Sequence, residues 1–192
     1  MVVLGHGINV LGDDLFGLAH HTRKAGVRFV LPEGPHQGEE VAGLLRQPRQ
    51  WWKGGIERWE TGVVDAADKF AACAKAALAD APSGAKLAVG GFSQGAAVAL
   101  RAATSGGVSV AALLQLSAQA PKAELPEGCL AGVRVFVAAG DEDEVAPVAM
   151  GEALLSACEK AGASCEPLHK YSGDHEVTLE VADAVKEVID EL

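Results

Sequence analysis

Basic residues are scarce in this chain: 16 lysines and arginines stand against 26 aspartates and glutamates, giving a formal charge of -10. The pI is near 5.0. An acidic surface repels nucleic acid and anionic membranes, so no nucleic acid is expected as a partner. Long apolar runs are lacking too. The longest fall far short of the ~20 residues of a bilayer span, and no basic segment leading into an apolar run opens the chain. A soluble, cytoplasmic protein with no membrane span is the expectation. Cysteines are few, and Cys73, Cys129, Cys158 and Cys165 form no CxxC and no metal-ligand spacing. They read as free, partly buried thiols, and neither a metal nor a cofactor is called for. Internal repeats, linkers and low-complexity tracts are also missing.

What is present is a 192-residue chain of 49% hydrophobic content. That is enough for one good core, so a single domain over residues 1–192 is expected. Short apolar runs alternate with helical patterns, the mark of βαβ units around a mostly parallel sheet, and the fold class is α/β. The runs Val2 to Leu4, Val27 to Leu31, Lys86 to Val89, Val110 to Leu116, Val133 to Ala138 and Cys165 to His169 predict about six strands covered by helices on both faces. Amphipathic spacing predicts helices over Gly12 to Ala25, Thr61 to Asp80, Gln94 to Thr104, Val148 to Ala161 and Glu176 to Leu192. Two proline-interrupted stretches, Pro32 to Gly55 and Ser117 to Gly128, read as loops or lids.

The most specific local feature is a strand that runs into Gly91-Phe92-Ser93-Gln94-Gly95 and straight out into a helix. A sharp strand-to-helix turn lifts a serine hydroxyl out of the sheet, and glycines on either side let the backbone pass closely. The alternative, a chance GxSxG with Ser93 as a helix N-cap, loses weight because a strand precedes the motif and a helix follows it. A nucleophilic serine needs a base and an acid, and where the serine sits on such a GxSxG strand-to-helix turn they follow in chain order Ser, Asp or Glu, His. Downstream of Ser93, His169 sits within a strand pattern, while His175 lies in the loop before the last helix and is the better base. For the acid, four carboxylates follow the preceding strand. Asp143 is preferred, Asp141 is held in reserve as a residue that caps or braces the turn, and a solvated acidic turn is the bland alternative.

The first strand ends in His6-Gly7 beside Ile8, where this fold provides its second oxyanion amide, so the backbone NH groups of Ile8 and Gln94 are the expected donors. His6 itself reads as a turn residue bonded to nearby backbone.

These residues resemble the phospholipase/carboxylesterase family of α/β-hydrolases, the group that includes the acyl-protein thioesterases. The likeness rests on Gly5-His6-Gly7 followed by Gly12-Asp13-Asp14, Leu31-Pro32, Trp51-Trp52, Gly91-Phe92-Ser93-Gln94-Gly95, Gly140-Asp141-x-Asp143-x-Val145-x-Pro147 and Gly173-x-His175. It implies a Ser93, Asp143, His175 triad and favours Asp143 over Asp141. The chain departs from the family in three places. The His-Gly strand starts at Val2 without a preceding edge hairpin, Ile8-Asn9-Val10 replaces a more glycine-rich loop, and Ala96 stands for a third glycine. The first departure leads to an expected homodimer through the exposed first-strand side of the sheet.

The chemistry that follows is cleavage of carboxylic esters or thioesters, in a small-molecule or acylated substrate, through an acyl-enzyme on Ser93. Trp51, Trp52 and His36 are candidates to line or cover an acyl pocket, with a core or surface role for the tryptophan pair weighed equally. Two other readings compete: a catalytically silent hydrolase-fold binding module, and a Rossmann-type dinucleotide domain suggested by Gly5-x-Gly7. The second fails because Val10 occupies the position of the third glycine.

Overall fold

A computed structural model describes residues 1–54 and 58–192; Gly55, the end of the stretch read as a loop over 32–55, lies outside the described residues. The elements in chain order are β1 (Val2–Gly5), α1 (Phe16–His21), β2 (Phe29–Val30), β3 (His36–Gln37), β4 (Arg49–Gln50), α2 (Trp59–Ala79), β5 (Ala88–Phe92), α3 (Gln94–Thr104), β6 (Ala112–Leu116), β7 (Arg134–Gly140), α4 (Val148–Lys160), β8 (Ser164–Cys165), β9 (His169–Tyr171) and α5 (Leu179–Asp190). The main sheet runs β2-β1-β5-β6-β7-β8 with every pair parallel, and β9 also pairs with β7.

β8 and β9 occupy one edge position in two pieces, since β8 pairs with Arg134 and Val135 and β9 with Ala138 to Gly140. The expected strand over Cys165 to His169 is therefore broken. Pro167 lies in the break and has no NH to donate to the ladder. β1 lies inside the sheet, between β2 and β5, and the edge on that side is the two-residue β2. The stretch over 32–55 is not only loop. It folds into an antiparallel hairpin of β3 and β4, with Val10 bridged to Arg49.

Strand residues alternate between two buried clusters, as a pleated sheet covered on both faces requires. Val3, Val89, Leu113, Val135 and Val137 point into the cluster built with α2, α3 and α4. Val2, Leu4, Ala88, Leu114, Phe136 and Ala138 point into the one built with α1 and α5. Small residues let α3 lie close to the sheet: Gly95, Ala96, Ala99 and Ala102 are buried along it, with Val98 and Leu100 filling the core between them. α5 begins later than its apolar stripe suggests because the Thr178 side chain caps it, accepting the Val181 amide at 3.3 Å. Cys158 is buried and the other three cysteines are half-buried, all free. No helix among the described residues is long and apolar enough to cross a membrane.

Because the strands are parallel, their carboxyl ends meet along one edge. Gly7, Ser93, Ser117, Asp143 and His175 all lie just beyond those ends.

Candidate active site

β5 leaves the sheet at Phe92 and enters α3 through one residue. Ser93 has φ 53° and ψ -117°, a strained combination for any residue with a side chain. Its amide donates to the Leu116 carbonyl at 3.0 Å, and its carbonyl accepts the Ala96 and Ala97 amides. The flanking glycines permit this turn. A Cβ on Gly91 would stand 2.3 Å from the Gly5 oxygen, and one on Gly95 only 2.1 Å from that same atom. The first turn of α3 thus rests directly on the end of β1. Gly7 comes next, where a Cβ would lie 3.8 Å from the Ser93 Cβ.

His175 donates from Nδ1 to Asp143 Oδ2 at 2.8 Å. The other carboxylate oxygen of Asp143 accepts the amides of Val145 and Ala146 at 2.9 and 2.7 Å, and the Asp143 side chain is fully buried. Burial alone pushes the Asp143 carboxyl up. The Ala146 amide, the His175 imidazole and the Val145 amide together outweigh it and hold the group below the ordinary carboxylate value. The Phe92 ring packs against the imidazole with centroids 4.7 Å apart, which brings His175 beside the residue preceding Ser93. With Nδ1 committed to Asp143, Nε2 is the nitrogen left to exchange a proton with a reacting hydroxyl.

Asp141 has a different task. Its Oδ1 accepts the Gly173 amide at 3.1 Å, its own amide donates to the Tyr171 carbonyl, and the Glu142 amide donates to the Gly173 carbonyl. It ties the loop that carries Asp143 to the loop that carries His175. His169 starts β9 and faces α5, its Nε2 3.7 Å from Glu180 Oε1.

At the floor, His6 donates from Nδ1 to the Gly7 carbonyl at 2.7 Å and accepts the Gly34 amide on Nε2 at 2.8 Å, partners that assign it the neutral form. Burial pushes its pKa down in the same sense. Trp51 donates from its indole to the His6 carbonyl at 2.9 Å and stacks edge-to-face on Phe70. The Gln94 side chain clamps this layer, accepting the Trp51 amide at 2.7 Å and donating to the Trp52 carbonyl at 3.3 Å. Both tryptophans belong to the core cluster under α2 and α3. His36 lies half-buried on β3, where burial and then Lys69, Lys53 and Arg49 push its pKa down against Asp65. Ile8 is 42% exposed and borders a hollow of about 450 Å³ shared with Asn9, Gln37, Glu39, Gln50 and Lys53. Gln94 opens α3, where the first amides of a helix have no intrahelical partner.

Two residues at the site, Ser117 and Tyr171, and one side-chain role, that of Gln94, are not legible in the sequence. Gln94 was singled out for its backbone alone, whereas its side chain is buried and bonded twice. Ser117 and Tyr171 share a buried hydrogen bond at 2.9 Å. Ser117 carries no motif, and the one signal for Tyr171 was its position four residues before His175.

A parallel sheet covered on both faces, a strained serine turn at its carboxyl edge and a histidine–carboxylate pair on the following loops define an α/β-hydrolase-fold protein. The sequence profile of the phospholipase/carboxylesterase family matches residues 1–192, and the chain belongs to this family of esterase-type hydrolases. Among solved structures, Arabidopsis thaliana SOBER1 superposes with a TM-score of 0.80 at 18% identity, covering 99% of this chain and 97% of that one. The Bacillus cereus carboxylesterase gives 0.79 at 20% identity, covering 100% and 87%. Esterase PE8 gives 0.76 at 26% identity, covering 99% and 91%. Among curated proteins none matches.

Proposed function

We propose that this chain, acting as a single domain over residues 1–192, is a serine carboxylesterase or thioesterase that works through an acyl-enzyme on Ser93. The observation that carries this reading is the 2.8 Å bond from His175 Nδ1 to the buried Asp143 carboxylate, next to the Ser93 turn. His175 Nε2 takes the Ser93 proton as Oγ bonds to the substrate carbonyl carbon. The amides of Ile8 and Gln94 stabilise the oxyanion. The bond to the leaving oxygen or sulfur then breaks, and His175 returns its proton to that atom. Water, activated by the same imidazole, releases the acid and restores Ser93. The hollow beside Ile8 takes the part of the substrate that does not react.

The test is nitrophenol release from acetyl, butyryl and octanoyl esters by the wild type and Ser93→Ala. Turnover by the wild type with a loss of about 10⁴- to 10⁶-fold in the variant is the expected result. No turnover by the wild type on any length, or equal rates, overturns the reading and leaves a hydrolase-fold binding module.

A further inference from the structure

The sole tyrosine of the chain lies at the centre of a hydrogen-bond relay that runs from one proposed catalytic loop to the other. Tyr171 is 3% exposed, its ring among Phe136, Val181 and Val185 against α5. Its hydroxyl reaches the Glu176 carbonyl at 2.7 Å and the Asp174 carbonyl at 3.2 Å, the two residues that bracket His175. One hydroxyl carries one proton, so Tyr171 donates it toward these carbonyls and accepts on its oxygen from Ser117 Oγ, 2.9 Å away.

Ser117 is itself unusual. It is 1% exposed and has φ 44°, a conformation in which serine is strained. Its amide donates to the Ala138 carbonyl at 2.9 Å, and the residue before it, Leu116, accepts the amide of Ser93 at 3.0 Å. The chain of contacts is thus continuous: Ser93 is held by Leu116, Ser117 holds Tyr171, and Tyr171 holds both neighbours of His175. The hydrogen bonds of the Asp143 carboxylate go instead to His175, Val145 and Ala146, and orient the imidazole separately.

We propose that Tyr171, anchored by Ser117, is a positioning residue that sets the placement of the His175 loop relative to Ser93. The inference rests on the triad reading above. Asp143 determines how the ring is rotated and which nitrogen carries the proton, whereas the Tyr171 hydroxyl fixes where the backbone bearing that ring stands. Glu176 and Asp174 are exposed. Loss of the tyrosine hydroxyl therefore frees the backbone of two surface residues while the ring keeps its place in the core, and the consequence is a displaced base rather than an unfolded protein. A misplacement of about 1 Å at a reacting group costs about 10²-fold in rate.

The experiment compares the wild type with Tyr171→Phe, Ser117→Gly and the double variant. Phenylalanine keeps the ring in its cluster, and glycine accepts the positive φ of residue 117 without strain. Four quantities are read: kcat and KM on the nitrophenyl ester turned over fastest, the thermal midpoint as the check that each variant folds, and the low-field proton NMR signal of the His175 Nδ1–H bound to Asp143. The relay predicts a fall in kcat of about 10- to 100-fold in each single variant with KM within about 2-fold. It also predicts weakening or loss of the N–H signal, and a double variant no slower than Tyr171→Phe. Unchanged kcat in Tyr171→Phe, multiplying losses in the double variant, or a full N–H signal in both single variants overturns it. If Tyr171→Phe fails to fold, Ser117→Gly decides alone. If the wild type itself cleaves no ester, the hydrolase reading fails, and the relay stands or falls on the N–H signal.

Discussion

Asp143 gives one carboxylate oxygen to the imidazole of His175 at 2.8 Å and the other to two backbone amides of its own loop. The carboxylate is thereby fixed from behind where it meets the imidazole. Its neighbour Asp141, two residues earlier, spends its carboxylate on the Gly173 amide instead. The two aspartates should separate sharply. Asp143→Asn is expected to lower kcat by about 10⁴-fold, the size of effect seen when a triad acid is lost. Asp141→Asn removes one loop brace and should cost less than about 10-fold. Steady-state kinetics of the two variants on one ester decide this, and equal losses would remove Asp143 from the role.

Ser93 pays for its placement in backbone strain. Ser93→Gly removes the hydroxyl and relieves the positive φ together, so the variant should be inactive yet more stable than the wild type by about 1–3 kcal/mol. Urea unfolding of the two proteins checks it. A variant less stable than the wild type would mean that the turn is not strained.

The close seating of α3 on β1 predicts a strong effect of one methyl group. Gly95→Ala drives a Cβ to 2.1 Å from a backbone oxygen, which no rotamer can relieve. A destabilisation of about 3 kcal/mol or more is expected. Ala96→Gly, one residue further on, should cost only about 0.5–1 kcal/mol. The chemical midpoints of unfolding give both.

His6 predicts a pH dependence of folding. Burial holds its pKa below the ordinary 6.5 in the native state, so between the two values the unfolded chain binds the extra proton. Its contribution is fully present above about pH 6.5 and is lost as the pH falls through the native value. His36 is shifted in the same direction and adds to the effect. The urea midpoint of the wild type should fall from pH 7.5 to pH 5, and His6→Gln should show a lower midpoint with a shallower slope. A slope unchanged in His6→Gln would contradict this.

The sequence made some of these features legible because they follow from local rules. α3 runs from Gln94 to Thr104 as its pattern predicts, because a glycine-flanked strand-to-helix turn leaves little freedom about where a helix starts. β3 and β4 were not legible. His36-Gln37 and Arg49-Gln50 are two-residue polar strands with no alternation to detect, and they exist because they pair with each other and with Val10. α1 is shorter than its stripe, confined to Phe16–His21 between turns. At the site, Ser93 and His175 stand out by motif and order. Asp143 is preferred over Asp141 from its place in the turn, and the resemblance adds to that preference, since spacing leaves four carboxylates in one acidic run. The Gln94 clamp and the Ser117–Tyr171 contact are long-range and leave no trace in the local pattern.

The half-buried and buried thiols have a practical consequence for inhibitor chemistry. Burial pushes Cys158 up to about 12 and Cys165 to about 11, and it raises Cys73 and Cys129 as well. At neutral pH only on the order of one Cys165 in 10⁴, and fewer of Cys158, carries the thiolate that alkylating agents attack. Electrophiles that discriminate poorly between serine and cysteine should therefore mark this protein at Ser93. A fluorophosphonate tag surviving iodoacetamide pretreatment would read out Ser93 directly, and Cys158 and Cys165 should be the slowest of the four thiols to alkylate.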